Sequence, residues 1–201
     1  IATGASSSED VERVMNMAMS KTKDLVLMQC NTNYTGSKEN FKYCNLNVLK
    51  SFSIKYPEII LGLSDHTPGH STTLGAIALG ARVIEKHFTD DNNQIGPDHG
   101  FAMNPYTWRE MVDRSFELLD ALGDGIKKVE KNELNSKLVQ RRCLRANSNL
   151  NMGHIITKND FFPLRPISEG GIEPHRIKDI IGKKLEMDIL KGEHITEKHI
   201  K

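Results

Sequence analysis

The feature that most constrains this chain is a repeated alternation of short apolar runs with longer segments of helical spacing over residues 1–125. Apolar runs end at Thr3-Gly4 and recur at residues 25–30, 59–63 and 83–88. Such runs, separated by segments with apolar residues at i, i+3, i+4 and i+7, are typical of βα units on a parallel sheet. We therefore predict an α/β fold with four βα units, which is half of an eight-unit barrel.

Four helices are predicted between and after these runs. The first is capped by Ser7 or Ser8 and presents Val11, Val14, Met15 and Ala18 on one face. The second covers about residues 41–56 and stops at Pro57, and the third covers about residues 71–79 and stops at Gly80. A fourth helix begins near Pro105 and ends by residues 123–125, and its inward residues are predicted to be Trp108, Met111, Val112, Phe116 and Leu119.

The composition changes after residue 125. Residues 126–139 are rich in Lys, Glu and Asn, with few apolar positions, which is typical of a linker. Residues 140–201 have short strand-like pieces and little helical spacing. We predict a larger α/β domain over residues 1–125, a linker over 126–139 and a small β-rich domain over 140–201.

The bulk composition narrows the classes of function. A formal net charge of +1 and 26% charged residues give no strong surface field, so we expect neither nucleic acid nor a membrane surface as a partner. The three cysteines lack the spacing of a zinc or redox site and are expected to be reduced thiols. No apolar run approaches the roughly 18 residues of a spanning helix, and no signal peptide is visible, so we expect a cytoplasmic protein. Because the chain opens at Ile1 without an initiator Met, we also expect it to be part of a longer protein.

Two histidines lie where a barrel enzyme carries its chemistry. His66 follows the third apolar run and His87 lies near the end of the fourth. Because the carboxyl ends of neighbouring parallel strands meet at one rim, both imidazoles are predicted to lie there and to be able to bind a divalent transition metal. The alternative is that each is a hydrogen-bonded structural histidine.

Two acidic residues are candidate catalytic groups beside them. Glu85 lies two residues before His87 and so on the same face of the strand, where it can bind a sugar hydroxyl; the alternative is a salt bridge to Lys86 or Arg82, of which alternation disfavours Lys86. Asp98 lies in the loop after the fourth strand and either contacts substrate or is an exposed turn residue.

Further polar residues fall at strand ends and offer hydroxyl, amide and backbone donors for phosphate or carboxylate groups. They are Ser64, Thr3, Asn31, Thr32 and Tyr34.

An ordered series of motifs in this chain resembles the bacterial N-acetylneuraminate (sialic acid) synthase family, which includes the legionaminic and pseudaminic acid synthases. The motifs are Gly62-Leu63-Ser64-Asp65-His66-Thr67, Ala76-Ile77-Ala78-Leu79-Gly80-Ala81, Ile84-Glu85-Lys86-His87-Phe88-Thr89 and Gly96-Pro97-Asp98-His99. Nearer the C-terminus, Arg165-Pro166, Gly170-Gly171-Ile172 and Ile181-Gly182-Lys183-Lys184 look like the family's antifreeze-like (SAF) domain. The resemblance runs essentially from end to end.

The resemblance implies a fold and a reaction. The fold is the C-terminal half of a (β/α)8 TIM barrel followed by the small antifreeze-like domain. The reaction condenses phosphoenolpyruvate with the open-chain aldehyde of an N-acetylmannosamine-like sugar and gives a nine-carbon 2-keto acid and phosphate. It depends on Mn²⁺ or Mg²⁺, which acts as a Lewis acid. The half-barrel that carries the family's phosphate-binding lysines is absent from this sequence, so we expect the chain alone to be inactive.

The resemblance also implies roles for individual residues. His66 and His87 correspond to metal ligands, Glu85 and Asp98 to catalytic groups on the sugar side, and Ser64 to a phosphoenolpyruvate contact. The remaining implied contacts are Asn31, Thr32 and Thr3 to phosphoenolpyruvate, and Tyr34 and Arg165 to the sugar. Arg165 looks like the arginine that the antifreeze-like domain inserts into the barrel mouth of the other subunit, which implies a domain-swapped homodimer.

The chain departs from the family's pattern at three positions. Ala2 stands where the family often has serine, Thr32 where it often has asparagine, and Thr35 where a proline usually follows the tyrosine. Two other functions stay open on the sequence: a non-catalytic carbohydrate-binding protein that uses the antifreeze-like domain, and a different metal-dependent aldol-type barrel enzyme.

Overall fold

The computed structural model describes residues 1–200 and divides them into two compact units, Ile1–Ile126 and Lys127 onwards. In the first unit the helices are α1 (Ser8–Met19), α2 (Val48–Lys55), α3 (Ser71–Ala78) and α4 (Pro105–Leu122), with a 3-10 helix at Lys38–Tyr43. The strands are β1 (Val26–Cys30), β2 (Ile60–Asp65) and β3 (Val83–Lys86). Within residues 1–200, no helix is long and apolar enough to cross a membrane.

The three strands form a parallel sheet in the order β1-β2-β3. Leu27 of β1 packs with α1, and Leu61 and Leu63 of β2 pack with α2 and α3, so one face of the sheet is covered by the helices. Because successive side chains of a strand point to opposite faces, Ser64 and Glu85 lie on the other face. The α/β character and the parallel sheet are confirmed, whereas the half-barrel stays a prediction.

The predicted first strand is only a single parallel bridge between Ala2 and Met28. Thr3 N donates to Met28 O and Met28 N donates to Ile1 O, which is as much pairing as the three residues before Gly4 can offer. The segment therefore extends the sheet beside β1 without forming a strand of its own.

Helix α2 is shorter than the predicted helix over residues 41–56. Asn45 has a positive φ of 43°, which right-handed helix does not permit, so the region divides into the 3-10 helix and α2. The predicted C-terminal stop is confirmed, because α2 ends at Lys55, shortly before Pro57. Ser7 caps α1 through a capping box with Asp10, as predicted.

The inward face predicted for α4 is only partly right. Met111 is buried and Trp108 and Val112 are half-buried, but Phe116 is 62% and Leu119 38% exposed. Helix α4 has 18 residues and packs on α3, which has 8, so α3 covers only part of its length. The C-terminal half of α4 extends beyond the helix that buries its first turns.

The second unit contains a 3-10 helix (Lys131–Glu133), α5 (Leu134–Gln140), β4 (Cys143–Ala146), β5 (Phe161–Leu164) and α6 (Ile177–Ile180), with further 3-10 turns at Pro174–Arg176 and Glu197–His199. Strands β4 and β5 are antiparallel, and isolated bridges connect the remaining extended pieces. Their shared core is aliphatic, with Phe161 as its aromatic member: Leu144, Ala146, Leu150, Ile156, Phe161, Ile172, Ile180, Leu185, Ile189 and Ile195.

The segment predicted as a linker is helical over residues 131–140. A capping box starts it, in which Glu133 Oε2 accepts a hydrogen bond from the backbone nitrogen of Glu130 at 3.0 Å. A composition rich in Lys and Glu is compatible with an exposed helix as well as with an irregular linker, which is why composition alone did not distinguish the two.

Candidate functional site

A cavity of about 400 Å³ opens at the carboxyl ends of the three strands. Its lining contains six of the residues singled out by sequence: Thr32, Tyr34, Ser64, His66, Glu85 and His87. The other lining residues are Ala2, Gly4, Cys30, Asp65 and Lys86. A larger depression of about 720 Å³, lined by residues 41–47 with Ser71 and Thr72, brings together none of the predicted site residues.

The two histidine rings are neighbours in this cavity. Their centroids lie 5.1 Å apart at an interplanar angle of 63°. The ring of Tyr34 stands edge-on to both, with its centroid 4.3 Å from that of His66 and 5.5 Å from that of His87. The structure thus groups three aromatic side chains that come from three different segments of the chain.

An oxygen atom lies near the Nδ1 atom of each imidazole. Nδ1 of His66 lies 3.0 Å from the backbone oxygen of Asn31, and Nδ1 of His87 lies 3.5 Å from Oδ2 of Asp98. Histidines that bind metals usually donate the hydrogen of one ring nitrogen to a carbonyl or carboxylate and bind the metal with the other. The contacts at Nδ1 are compatible with binding through Nε2.

Burial lowers the pKa of His66 below its ordinary value, and the nearby His87 ring lowers it further. Only 8% of His66 is exposed to solvent. A lower pKa favours the neutral imidazole, which is the form that binds metal ions. The lowered pKa of His66 and its place beside the His87 ring are therefore compatible with binding a divalent cation. Within residues 1–200 no cluster of three or more His, Cys, Asp or Glu side chains is placed to share a metal.

The loop that carries Asp98 is held by its own hydrogen bonds. The Nδ2 atom of Asn92 donates to the backbone oxygens of His99 and Ala102 at 2.8 and 2.9 Å, and Thr89 Oγ1 lies 2.8 Å from His99 Nδ1. This loop also brings the ring of Phe101 to 5.1 Å from that of His87. Sequence reasoning missed Phe101, because no local pattern tells where a loop side chain folds back.

Glu85 pairs with a neighbour across the sheet. Ser64 and Glu85 are register partners, and Ser64 Oγ donates to Glu85 Oε1 at 2.7 Å. Lys86, one of the partners considered for Glu85, instead forms an ion pair with Asp65, so the disfavoured Glu85–Lys86 contact is not the one formed. Ser64 and Glu85 place a hydroxyl and a carboxylate beside the two imidazoles.

The side chains of Thr3 and Asn31 are not brought to this cavity. Thr3 Oγ1 donates to Met28 O at 2.9 Å, and both residues line a separate cavity of about 440 Å³ near the start of α1. Adjacent residues point to opposite sides of a sheet, so Ala2 reaches the first cavity and Thr3 does not. Asn31 contributes its backbone oxygen to His66 instead of its amide to a ligand.

Arg165 belongs to the second unit, at the residue after β5, and is exposed. It lines a cavity of about 530 Å³ within that unit together with Arg141, Arg142, Glu173 and His175. Arg141 pairs there with Glu173 at 2.7 Å. The contact of Arg165 with a sugar stays a prediction.

Comparisons with known proteins agree with the two-unit division. The NeuB family profile matches residues 1–127, and the SAF domain profile matches residues 141–201. The chain is 32% identical over 200 residues to the N,N'-diacetyllegionaminic acid synthase of Campylobacter jejuni, and the alignment covers 98% of this chain and 58% of that protein. It is 35% identical over 176 residues to the synthase of the same name from Legionella pneumophila, and that alignment covers 88% of this chain and 48% of the relative.

A solved structure shows the same likeness. The N-acetylneuraminic acid (sialic acid) synthetase of Leptospira borgpetersenii, in complex with citrate, superposes with a TM-score of 0.59 and 27% identity over 67% of this chain and 46% of that one. The chain spans about half the length of the proteins that it matches.

Proposed function

Because the chain belongs to the NeuB family and carries a SAF domain, we propose that a protein containing it is a sialic-acid-type synthase. It condenses phosphoenolpyruvate with the aldehyde of an N-acetylated hexosamine and releases phosphate, forming a nine-carbon 2-keto acid. The observation that carries this proposal is the grouping of His66, His87 and Tyr34 with the Ser64–Glu85 pair in one cavity at the strand ends.

In this proposal His66 and His87 would hold a divalent metal, Mn²⁺ or Mg²⁺. When bound, the cation supplies Lewis acidity toward the sugar aldehyde. Nδ1 of His87 lies 3.5 Å from Asp98 Oδ2, and Nδ1 of His66 lies 3.0 Å from the backbone oxygen of Asn31. These contacts restrict rotation of each ring before the metal binds, so less side-chain entropy is lost when it does.

The other residues bind and orient the two substrates. The Ser64 hydroxyl and the Thr32 side chain line the cavity. Thr32 offers a donor to the carboxylate or phosphate of phosphoenolpyruvate, and Ser64 offers one when its hydrogen turns away from Glu85. Glu85 accepts hydrogen bonds from sugar hydroxyls, and the exposed Tyr34 contributes a face for the sugar. Asp98, whose Oδ2 lies 3.5 Å from Nδ1 of His87, contacts the sugar in this proposal.

The proposed reaction is balanced without any further reactant than water. C3 of the enol forms a bond to the aldehyde carbon, water adds at C2, and the resulting tetrahedral carbon expels phosphate with its bridging oxygen. The acid–base partners for these proton transfers are Glu85 and Asp98. Arg165 belongs to the same proposal as a donor to the N-acetyl carbonyl across a domain-swapped homodimer.

Substrate-dependent phosphate release tests the proposal. The complete protein that carries this chain is incubated with Mn²⁺ and phosphoenolpyruvate, with and without N-acetylmannosamine and its deoxy, diacetamido relatives. We expect phosphate to appear only when one of the sugars is present, in step with a product whose mass equals sugar plus phosphoenolpyruvate plus one water, less phosphoric acid. Pyruvate in place of phosphoenolpyruvate should give no product.

The competing functions predict different results. A metal-dependent aldolase would accept pyruvate and release no phosphate. A carbohydrate-binding protein would bind sugar through residues 140–201 without turnover of either substrate. Either result contradicts the proposal.

A further inference from the structure

A buried ion pair lies behind the two imidazoles. Asp65 is the last residue of β2 and Lys86 the last of β3, and the two are direct register partners. Lys86 Nζ lies 2.5 Å from Asp65 Oδ2, and the two side chains are 2% and 3% exposed. His66 and His87 each follow a member of this pair by one residue, so the pair joins the two strands at the point where the imidazoles begin.

The pair also holds the backbone on the far side of His66. Asp65 Oδ1 accepts hydrogen bonds from Thr67 N at 3.1 Å and Thr67 Oγ1 at 2.9 Å. Lys86 Nζ donates to Thr67 O at 2.8 Å. Both neighbours of His66 are therefore connected to the residue that precedes His87.

A third connection comes from α3. Thr72 Oγ1 donates to Asp65 Oδ2 at 2.5 Å and lies 3.0 Å from Thr67 Oγ1. The carboxylate of Asp65 thus accepts hydrogen bonds from the ends of two strands and from a helix. These bonds restrict movement of the turn at His66 relative to the sheet.

Stability alone does not account for such a pair. Two charges removed from water cost several kcal/mol each, and buried pairs can often be replaced by apolar side chains at no loss of stability. Hydrogen bonds to a charged group fix both distance and angle, and apolar side chains do not provide such directional contacts. The pair is therefore better suited to fixing a geometry than to stabilising the fold.

We propose that Asp65 and Lys86 are positioning residues that set the separation of the His66 and His87 rings. The inference rests on the proposed function, in which these rings share a metal ion. Neither charged side chain needs to touch the substrate or the metal for this role. Both act through the backbone that they hold in place.

A double substitution separates positioning from folding. In Asp65→Asn with Lys86→Met, the amide keeps acceptors and donors for Thr67 and Thr72, and methionine fills the volume of the lysine stem without its charge. We expect this variant of the complete protein to fold, as judged by circular dichroism and its unfolding temperature. The matched control is Lys23→Met with Glu58→Gln, which removes an exposed ion pair of 3.1 Å in the same unit.

Two readouts are then compared with the unaltered protein. In a crystal structure of the metal-free double variant, we expect the separation of the two imidazole centroids, 5.1 Å in the native chain, to change by about 1 Å, a displacement large enough to impair catalysis. In a titration followed by the electron paramagnetic resonance of free Mn²⁺, we expect the dissociation constant to rise about 10-fold to 100-fold. The control should change neither value.

Failure of this inference and failure of the proposed function give different results. Rings that stay within about 0.5 Å of their native separation in the folded double variant overturn the positioning role. An unaltered protein that binds no Mn²⁺ contradicts the metal site of the proposed function, while the crystal structures still decide whether the pair positions the rings.

Discussion

The imidazole rings of His66 and His87 lie 5.1 Å apart at the ends of two neighbouring parallel strands. An oxygen atom lies near each Nδ1: the Asn31 backbone oxygen is 3.0 Å away at His66, and Asp98 Oδ2 is 3.5 Å away at His87. The proposed metal binding depends on these two imidazoles sharing one cavity.

Replacing Asp98 tests whether it orients His87 or contacts the sugar. If it orients His87, Asp98→Asn should weaken Mn²⁺ binding about 10-fold or more, because the carboxylate partner of Nδ1 is lost. If it contacts only the sugar, the KM for the sugar should rise while Mn²⁺ binding stays unchanged. Asp90→Asn, in the same loop and exposed, is the control and should alter neither quantity.

The pH dependence of stability reports on His66. Its pKa is lowered in the folded protein, so below the ordinary value of about 6.5 the unfolded chain takes up the proton first. The stability contributed by the neutral ring is therefore present above that pH and is lost as the pH falls through it.

We expect the unfolding temperature of the metal-free protein to fall more between pH of about 7.5 and about 5.5 than that of His66→Gln, which has no such proton to bind. Parallel pH profiles for the two proteins would show that His66 does not titrate differently on folding.

Substitution of Gly36 by alanine tests the packing of Phe101 beside His87. Gly36 has a φ of +63°, and a Cβ atom there would lie 2.6 Å from Phe101 Cβ. Gly69 has a similar φ of +72° but no atom within 4 Å of the same position. Gly36→Ala should therefore lower the free energy of unfolding by about 1–3 kcal/mol more than Gly69→Ala does. Equal losses in urea unfolding would mean that Phe101 moves aside without cost.

The core of the second unit makes a separate prediction. Ile189 is fully buried, and Ile189→Ala should lower the local stability by about 2–5 kcal/mol. Ile155 is 52% exposed, so Ile155→Ala should have a much smaller effect. Hydrogen exchange at the amides of β4 and β5 measures the difference. Similar exchange in the two variants would contradict the assignment of this core.

Much of the fold follows from local patterns. Apolar runs predicted the positions of β1, β2 and β3, and helix signals such as Ser7 and Pro105 predicted where α1 and α4 begin. The failures have tertiary causes. Phe116 has helical spacing but is 62% exposed, and the backbone at Asn45 divides a segment whose apolar pattern continues through it.

For the candidate site, too, some features follow from local sequence patterns and others depend on tertiary contacts. Strand alternation accounts for the side of the sheet on which Ser64 and Glu85 lie, and the same rule explains why Thr3 lies on the other side. The approach of Asp98 and Phe101 to His87 depends on hydrogen bonds of Asn92 within a loop, which no periodicity encodes. The Asp65–Lys86 pair was missed because charged residues at strand ends are read as solvent-facing unless the register between the two strands is known.

Binding of Mn²⁺ to the complete protein and to His66→Ala and His87→Ala tests the central claim most directly, with the exposed His175→Ala as control. The account predicts that the unaltered protein and the control bind the ion with the same affinity. His66→Ala and His87→Ala should each bind it more than about 100-fold more weakly, a larger loss than removal of a hydrogen-bond partner of a ligand causes. Affinities of His66→Ala and His87→Ala within about twofold of the unaltered protein, a difference of about 0.4 kcal/mol, would contradict it.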